Sequence, residues 1–162
     1  MKITRSITFD SPSEVLDVMQ DAYLNGQPLG YEQGANVCYY MTPATGAESC
    51  GRCAVGVILQ KAGYGPEDLR NLQIDNHTDL ADVLEISDIS VETLDHAQLV
   101  NMMRIAQTLH DSVAKAGCPP ELLGSLFRTL REEILLGAAD LDQYMAIREK
   151  VRRLDPSYVT IN

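Results

Sequence analysis

The segment AVGVIL, residues 54–59, is the feature that most restricts how this chain can fold. Every residue in it is apolar or glycine, and Gly63 follows as a helix stop, so the sequence predicts a helix from Cys53 or Ala54 to about Ala62. A helix that is apolar on nearly every side belongs inside a protein. We therefore expect it at the centre of the core, wrapped by the C-terminal helices.

The N-terminal part of the chain predicts a strand and then a helix. Residues 2–9 alternate between polar and apolar side chains, which is the pattern of a short strand. Ser11, Pro12 and Glu14 then have the spacing of a capping box. The helix that they start is expected to end near Asn25, with Gly26 as its stop.

Three helices are predicted in the C-terminal half. The first runs from Asp95 to Ala116, with Asp95 and Gln98 as its capping box. The second is opened by Pro119 and Pro120 and stops at Gly137, and residues 140–154 predict the third. The inward-facing residues of the first two helices have helical spacing and are Leu99, Met102, Ala106, Leu109, Val113, Leu123, Leu126, Phe127, Leu130 and Ile134.

These elements predict an α+β fold that is mostly helical, with a small β element. Residues 37–42 are expected to form a strand, and the tail, residues 157–162, could pair with residues 2–9. A length of 162 residues without an evident linker predicts a single globular domain over residues 1–162.

Composition excludes several functional classes. The formal net charge is −10 and the basic residues form no patch, so we expect no direct binding to nucleic acid. No apolar run reaches the length of a membrane span, and the N-terminus lacks the apolar region of an export signal. These features predict a cytoplasmic protein whose four cysteines are free thiols, metal ligands or catalytic groups.

Three of the four cysteines lie close together, at Cys38, Cys50 and Cys53, which raises the possibility of a zinc site. Cys50 and Cys53 have the C-x-x-C spacing of a chelating pair, and Cys38 could be a third ligand. The fourth ligand would have to come from a distant residue, namely His77, His96, His110 or Cys118. Because the chain has no second tight pair, we expect no metal. The sequence also has no P-loop and no dinucleotide fingerprint, so we expect no other cofactor.

Cys53 could instead be a nucleophile, because the amides at the start of a helix stabilise a thiolate. His110 is the best candidate for its general base, since it lies beside the apolar stripe of the long helix. Asp111 points about 100° away on an ideal helix, so we do not expect it to orient the imidazole. The third interpretation is that Cys53 and His110 are buried packing residues.

The tyrosines suggest a binding surface. Tyr31, Tyr39, Tyr40 and Tyr64 flank glycine-rich segments, and a tyrosine on a loop offers both an apolar ring and a polar tip. Cross-strand packing is the alternative role for these side chains.

The stretch from Cys38 to Leu59 resembles a group of small proteins from phages and other mobile elements. They share a C-x-Y motif, a glycine turn, a C-A-V-G motif before an apolar helix, and a later His-Asp pair. The matching positions in this chain are Cys38, Tyr40, Cys53, Ala54, Val55, Gly56, His110 and Asp111. Met41 stands where the group usually has Arg.

The resemblance implies a phage accessory protein. Together with the residues above, it favours a non-enzymatic binding protein that sequesters a small molecule or inhibits a host defence factor. The alternatives are a cysteine-dependent hydrolase or transferase that uses Cys53 and His110, and a zinc-stabilised interaction module.

Overall fold

The structure is a computed structural model, and it describes residues 6–32, 37–38, 51–65, 67–69, 83–84, 88–137, 142 and 145–146. The described chain is mostly helical with small β elements, so the predicted α+β class is confirmed. Its helices are α1 (Pro12–Leu24), α2 (Ala54–Lys61), α3 (His96–Lys115) and α4 (Pro120–Gly137), and its strands are β1 (Ile7–Phe9), β2 (Tyr31–Glu32), β3 (Val37–Cys38) and β4 (Ile89–Val91).

The four helices pack in a ring. α1 contacts α2, α2 contacts α3, α3 contacts α4, and α4 returns to α1. α3 from the C-terminal half packs against α2, as expected, and α1 from the N-terminal part packs against it as well. The predicted helix at residues 140–154 lies outside the described residues, apart from residues 142, 145 and 146.

The central position predicted for α2 is confirmed. All residues from Ala54 to Leu59 are buried, and Ile58 and Leu59 have no exposed surface at all. The inward stripe of α3 is likewise buried at every predicted position. On α4, Leu123, Phe127, Leu130 and Ile134 are buried, whereas Leu126 is only partly buried.

α1 and α4 approach each other closely at Gly124. A Cβ atom at this position would lie 2.7 Å from Cγ of Leu24 and 3.0 Å from the Leu24 backbone nitrogen. Real Cβ atoms do not approach so near, so glycine is required for the two helices to cross at this distance. In the middle of α1, Oδ1 of Asp17 lies 2.6 Å from Nη1 of Arg131, and this ion pair joins the same two helices.

The helix ends follow local sequence rules. α1, α2 and α3 each end in a glycine with positive φ, namely Gly26, Gly63 and Gly117. The capping box of Asp95 and Gln98 is confirmed at the start of α3. The box predicted at Ser11 is wrong, because the Ser11 side chain makes no capping bond and Glu14 Oε2 accepts from the Asp10 amide at 2.9 Å.

Among the described residues the four strands form two separate pairs, and Leu29 and Arg52 form an isolated parallel bridge. β1 pairs in parallel with β4, with Ile7 opposite Ile89 and Phe9 opposite Val91. β2 and β3 are antiparallel, with Tyr31 opposite Cys38. β4 was not predicted from the sequence, and the proposed tail strand lies outside the described residues.

Candidate functional site

Cys53 lies at the N-cap of α2, between α2 and the polar groups of α3. Its side chain is 3% exposed, and its Sγ accepts a hydrogen bond from the Gly56 amide at 3.4 Å. Sulfur thus takes the place that a serine or threonine oxygen often has at a helix start. Cys53 is a free thiol, as is Cys118, among the described cysteines.

The environment of Cys53 favours the neutral thiol. The pKa of Cys53 is raised to about 12, chiefly by burial and to a smaller extent by the Asp111 carboxylate, and the Gly56 amide opposes this rise only in part. The reactive thiolate expected from a helix N-terminus is therefore not supported, because desolvation outweighs the amides. Cys53 is the buried residue that the packing interpretation predicts.

His110 lies on the buried side of α3 and has no exposed surface. Its Nε2 accepts a hydrogen bond from the Gly30 amide at 3.0 Å, so this nitrogen carries no proton. Nδ1 lies 2.9 Å from Oδ1 of Asp111 and is therefore the donor of the pair. Both ring nitrogens have protein partners, and neither of these partners is Cys53.

Asp111 orients the imidazole, which corrects the expectation that it points elsewhere. Adjacent side chains project about 100° apart on an ideal helix, but they can still meet through their outer atoms. Gln107 supports the carboxylate, because its Nε2 donates to Asp111 Oδ1 at 3.0 Å. This contact joins residues four positions apart on one helix face, a spacing at which Gln and Asp commonly interact.

The network continues from α3 to α2. Oε1 of Gln107 accepts a hydrogen bond from the Val55 amide at 3.3 Å. Two of the amides that would be unpaired at the start of α2 are thus satisfied, one by Gln107 and one by Cys53. A polar chain therefore runs from the Val55 amide through Gln107, Asp111 and His110 to Gly30.

Tyr23 reaches the same region from α1. It is fully buried, and its hydroxyl donates to the Arg52 carbonyl at 2.7 Å. Burial raises the pKa of Tyr23 well above its usual range; Cys53 and Asp111 add to this, and Arg52 opposes it. Its ring centroid lies 6.2 Å from that of His110.

Arg52 anchors the segment before α2 to the segment after α1. Its amide donates to the Pro28 carbonyl at 2.8 Å, and its Nη1 donates to Oε1 of Gln27 at 3.1 Å. Its Nε is buried and has no acceptor within the part of the chain that the structure describes. The backbone around Cys53 is therefore fixed on both sides by other segments.

The structure describes two of the four tyrosines that were predicted to bind a partner. Tyr64 is 2% exposed, so its expected place on a contact surface is wrong, because it packs into the core where α2 ends. Tyr31 is the first residue of β2. Tyr39 and Tyr40 lie outside the described residues.

The zinc interpretation is tested only in part. The described residues contain no group of three His, Cys, Asp or Glu side chains placed to hold a metal ion. His96 lies in the first turn of α3, whereas Cys50 and His77 lie outside the described residues. The chelating pair of Cys50 and Cys53 therefore stays a prediction from spacing.

Sequence reasoning missed Gln107, Gly30, Tyr23 and Arg52 as members of this cluster. The four-residue spacing of Gln107 and Asp111 was a usable signal. The other three come from distant parts of the chain, and no local pattern places them beside α3.

Comparison with protein-family models, with curated proteins and with solved structures gives no match for this chain. In the residues that the structure describes, we find no helix with both the length and the apolar character required to cross a membrane.

Proposed function

We propose that the chain is a non-enzymatic accessory protein of phage or mobile-element type. In this proposal it acts in the cytoplasm of a bacterial host and binds a host protein or a small molecule, with inhibition of a host defence factor as the effect. The resemblance around Cys53 and the net charge of −10 support this class. Tyr31, Tyr39 and Tyr40 are the proposed contact residues.

One observation carries the non-enzymatic part of the proposal: the His110 ring has no nitrogen available for Cys53. Nε2 accepts from Gly30, and Nδ1 faces Asp111. A general base needs a lone pair within hydrogen-bond reach of the proton that it removes. With a buried thiol whose pKa is raised to about 12, neither half of a Cys-His pair is poised to react.

A cysteine-dependent hydrolase or transferase is the second candidate, because Asp111 does orient His110. A base oriented by a carboxylate is the usual support for a nucleophile. This candidate requires the ring to leave Gly30 and Cys53 to become accessible. The two candidates therefore predict different effects of replacing the sulfur of Cys53.

The experiment compares variants in the bacterial host, with the effect of expression on phage infection or host growth as the readout. We expect Cys53→Ser to keep the effect, because a serine oxygen can accept from the Gly56 amide and preserve the N-cap. Tyr31→Ala and Tyr39→Ala should weaken the effect more. Thr129→Ala, on the exposed side of α4, is the matched surface control.

Folding of every variant is checked by circular dichroism and thermal unfolding. A well-folded Cys53→Ser variant that has lost the effect would overturn the binding proposal and favour the hydrolase. Elemental analysis of the purified protein addresses the third hypothesis. We expect no stoichiometric zinc, and about one zinc per chain would instead support the interaction module.

A further inference from the structure

The contact between Gly30 and His110 links two parts of the chain that are 80 residues apart in sequence. Gly30 is buried and directly precedes Tyr31, where β2 begins. β2 pairs with β3 and contacts α3. The Gly30 amide is therefore a point at which a side chain of α3 holds the start of the β2–β3 pair.

We propose that His110 is a positioning residue that holds the β2–β3 pair in place through its Nε2 atom. The proposal concerns the free protein and stands apart from any ligand. Only its last step, that the pair presents Tyr31 to a partner, rests on the proposed function.

The ring is suited to this role because its orientation and its tautomer are both fixed. Asp111 accepts from Nδ1, which leaves Nε2 as an acceptor that faces Gly30. Gln107 holds Asp111, and the Val55 amide holds Gln107. Each of these partners comes from α3 or from the start of α2. The acceptor of the Gly30 bond, Nε2 of His110, therefore belongs to the rigid part of the fold.

Water does not compete with this contact, since His110 has no exposed surface and Gly30 is buried. A buried amide that loses its acceptor pays the desolvation cost of an unsatisfied polar group. Loss of Nε2 should therefore release the segment at Gly30 while the helices that supply the ring remain packed.

Two conservative variants separate the two nitrogens. The amide of His110→Gln reaches the position of Nε2 and can accept from Gly30, whereas the amide of His110→Asn reaches only the position of Nδ1 and can donate to Asp111. Both variants lose the imidazole ring, so each is the matched control for the other.

The measurement is hydrogen exchange of the Gly30 amide by NMR, with the Leu109 amide of α3 as the reference for opening of the core. In His110→Asn we expect exchange at Gly30 to rise about tenfold relative to Leu109, as expected for one buried hydrogen bond. In His110→Gln the same ratio should stay within about threefold of the parent protein. Equal ratios in the two variants would overturn the proposal.

The parent protein offers a second test that does not depend on a variant that folds. Nitrogen NMR of the His110 ring should show a protonated Nδ1 and an unprotonated Nε2 at neutral pH. A proton on Nε2 would be incompatible with the Gly30 bond and would overturn the proposal.

The link to Tyr31 is tested separately in the host assay. His110→Asn should weaken the effect, and adding it to Tyr31→Ala should cause little further loss, because both changes act on one surface. Full additivity would overturn the link to Tyr31. If Tyr31→Ala has no effect, the contact surface of the proposed function is wrong, whereas the exchange ratio at Gly30 still decides the role of His110.

Discussion

The two ends of α2 are held by different means. At the N-terminal end, side chains of two other helices bind the backbone. Tyr23 of α1 donates to the Arg52 carbonyl, and Gln107 of α3 accepts from the Val55 amide. At the C-terminal end the backbone closes on itself, with the Tyr64 amide bonded to the Leu59 carbonyl at 3.1 Å. The Tyr64 hydroxyl is buried there without an acceptor among the described residues. Side chains of other helices thus hold the backbone at the N-terminal end, whereas a backbone hydrogen bond closes the C-terminal end.

Raising the pH should affect the N-terminal end most. The thiol of Cys53 has an ordinary pKa of 9.0 and a folded-state pKa of about 12, so its contribution to stability is complete below pH 9. Above pH 9 the unfolded thiol ionises first, and the contribution is lost as pH rises towards 12. The loss reaches at most about 4 kcal/mol.

Urea unfolding of the parent protein and of Cys53→Ser between pH 8 and about pH 11 measures the larger part of this loss. The parent should lose more stability than the variant, which has no thiol at this position. Parallel pH profiles for the two proteins would show that burial does not raise the pKa of Cys53.

Overpacking at Cys53 should have the next largest effect. The side chain is surrounded by buried residues of the core, so Cys53→Phe adds volume that the site cannot hold. We expect a loss of about 1–3 kcal/mol in the free energy of unfolding. An unchanged unfolding midpoint would contradict the close packing at this end of α2.

Removal of the Tyr23 hydroxyl should have a smaller effect. Tyr23→Phe keeps the ring but leaves the Arg52 carbonyl without its 2.7 Å donor. The expected cost is about 1 kcal/mol, measured by urea unfolding at neutral pH. If the variant is as stable as the parent, the hydrogen bond at the N-terminal end contributes nothing.

Removal of the Tyr64 hydroxyl, at the C-terminal end of α2, should have the smallest effect. Tyr64→Phe removes a hydroxyl that has no acceptor in the described residues, so stability should stay within about 0.5 kcal/mol or increase. The pair of Tyr→Phe variants therefore measures the difference between the ends directly. A larger loss at Tyr64 than at Tyr23 would reverse the comparison.

The predictable part of the fold is the part set by neighbouring residues. Gly26 and Gly63 ended their helices as expected because the positive φ that closes a helix suits glycine. Asp95 and Gln98 formed their box for an equally local reason. The box predicted at Ser11 does not form, because Glu14 accepts from the Asp10 amide instead of from the amide of the cap residue.

The remainder depended on contacts between distant residues. β4 has only three residues, and its partner β1 lies far away in sequence, so no local pattern marks it. Burial of Cys53 agrees with the packing interpretation, and this burial outweighs the expected effect of the helix amides on the pKa of Cys53. The contact of His110 with Gly30 required the packing of α3 against β2, which periodicity does not reveal.

The β1–β4 pair also sets an order of events during synthesis. Thr8 and Ser90, which face each other across the pair at 3.1 Å, are 82 residues apart in the chain. At the usual rate of translation, roughly 4 to 16 seconds separate the appearance of these two residues. α1 and α2 are made in that interval, and during it β1 has no β4 to pair with. A nascent chain therefore lacks the native partner of β1 until the segment before α3 has left the ribosome.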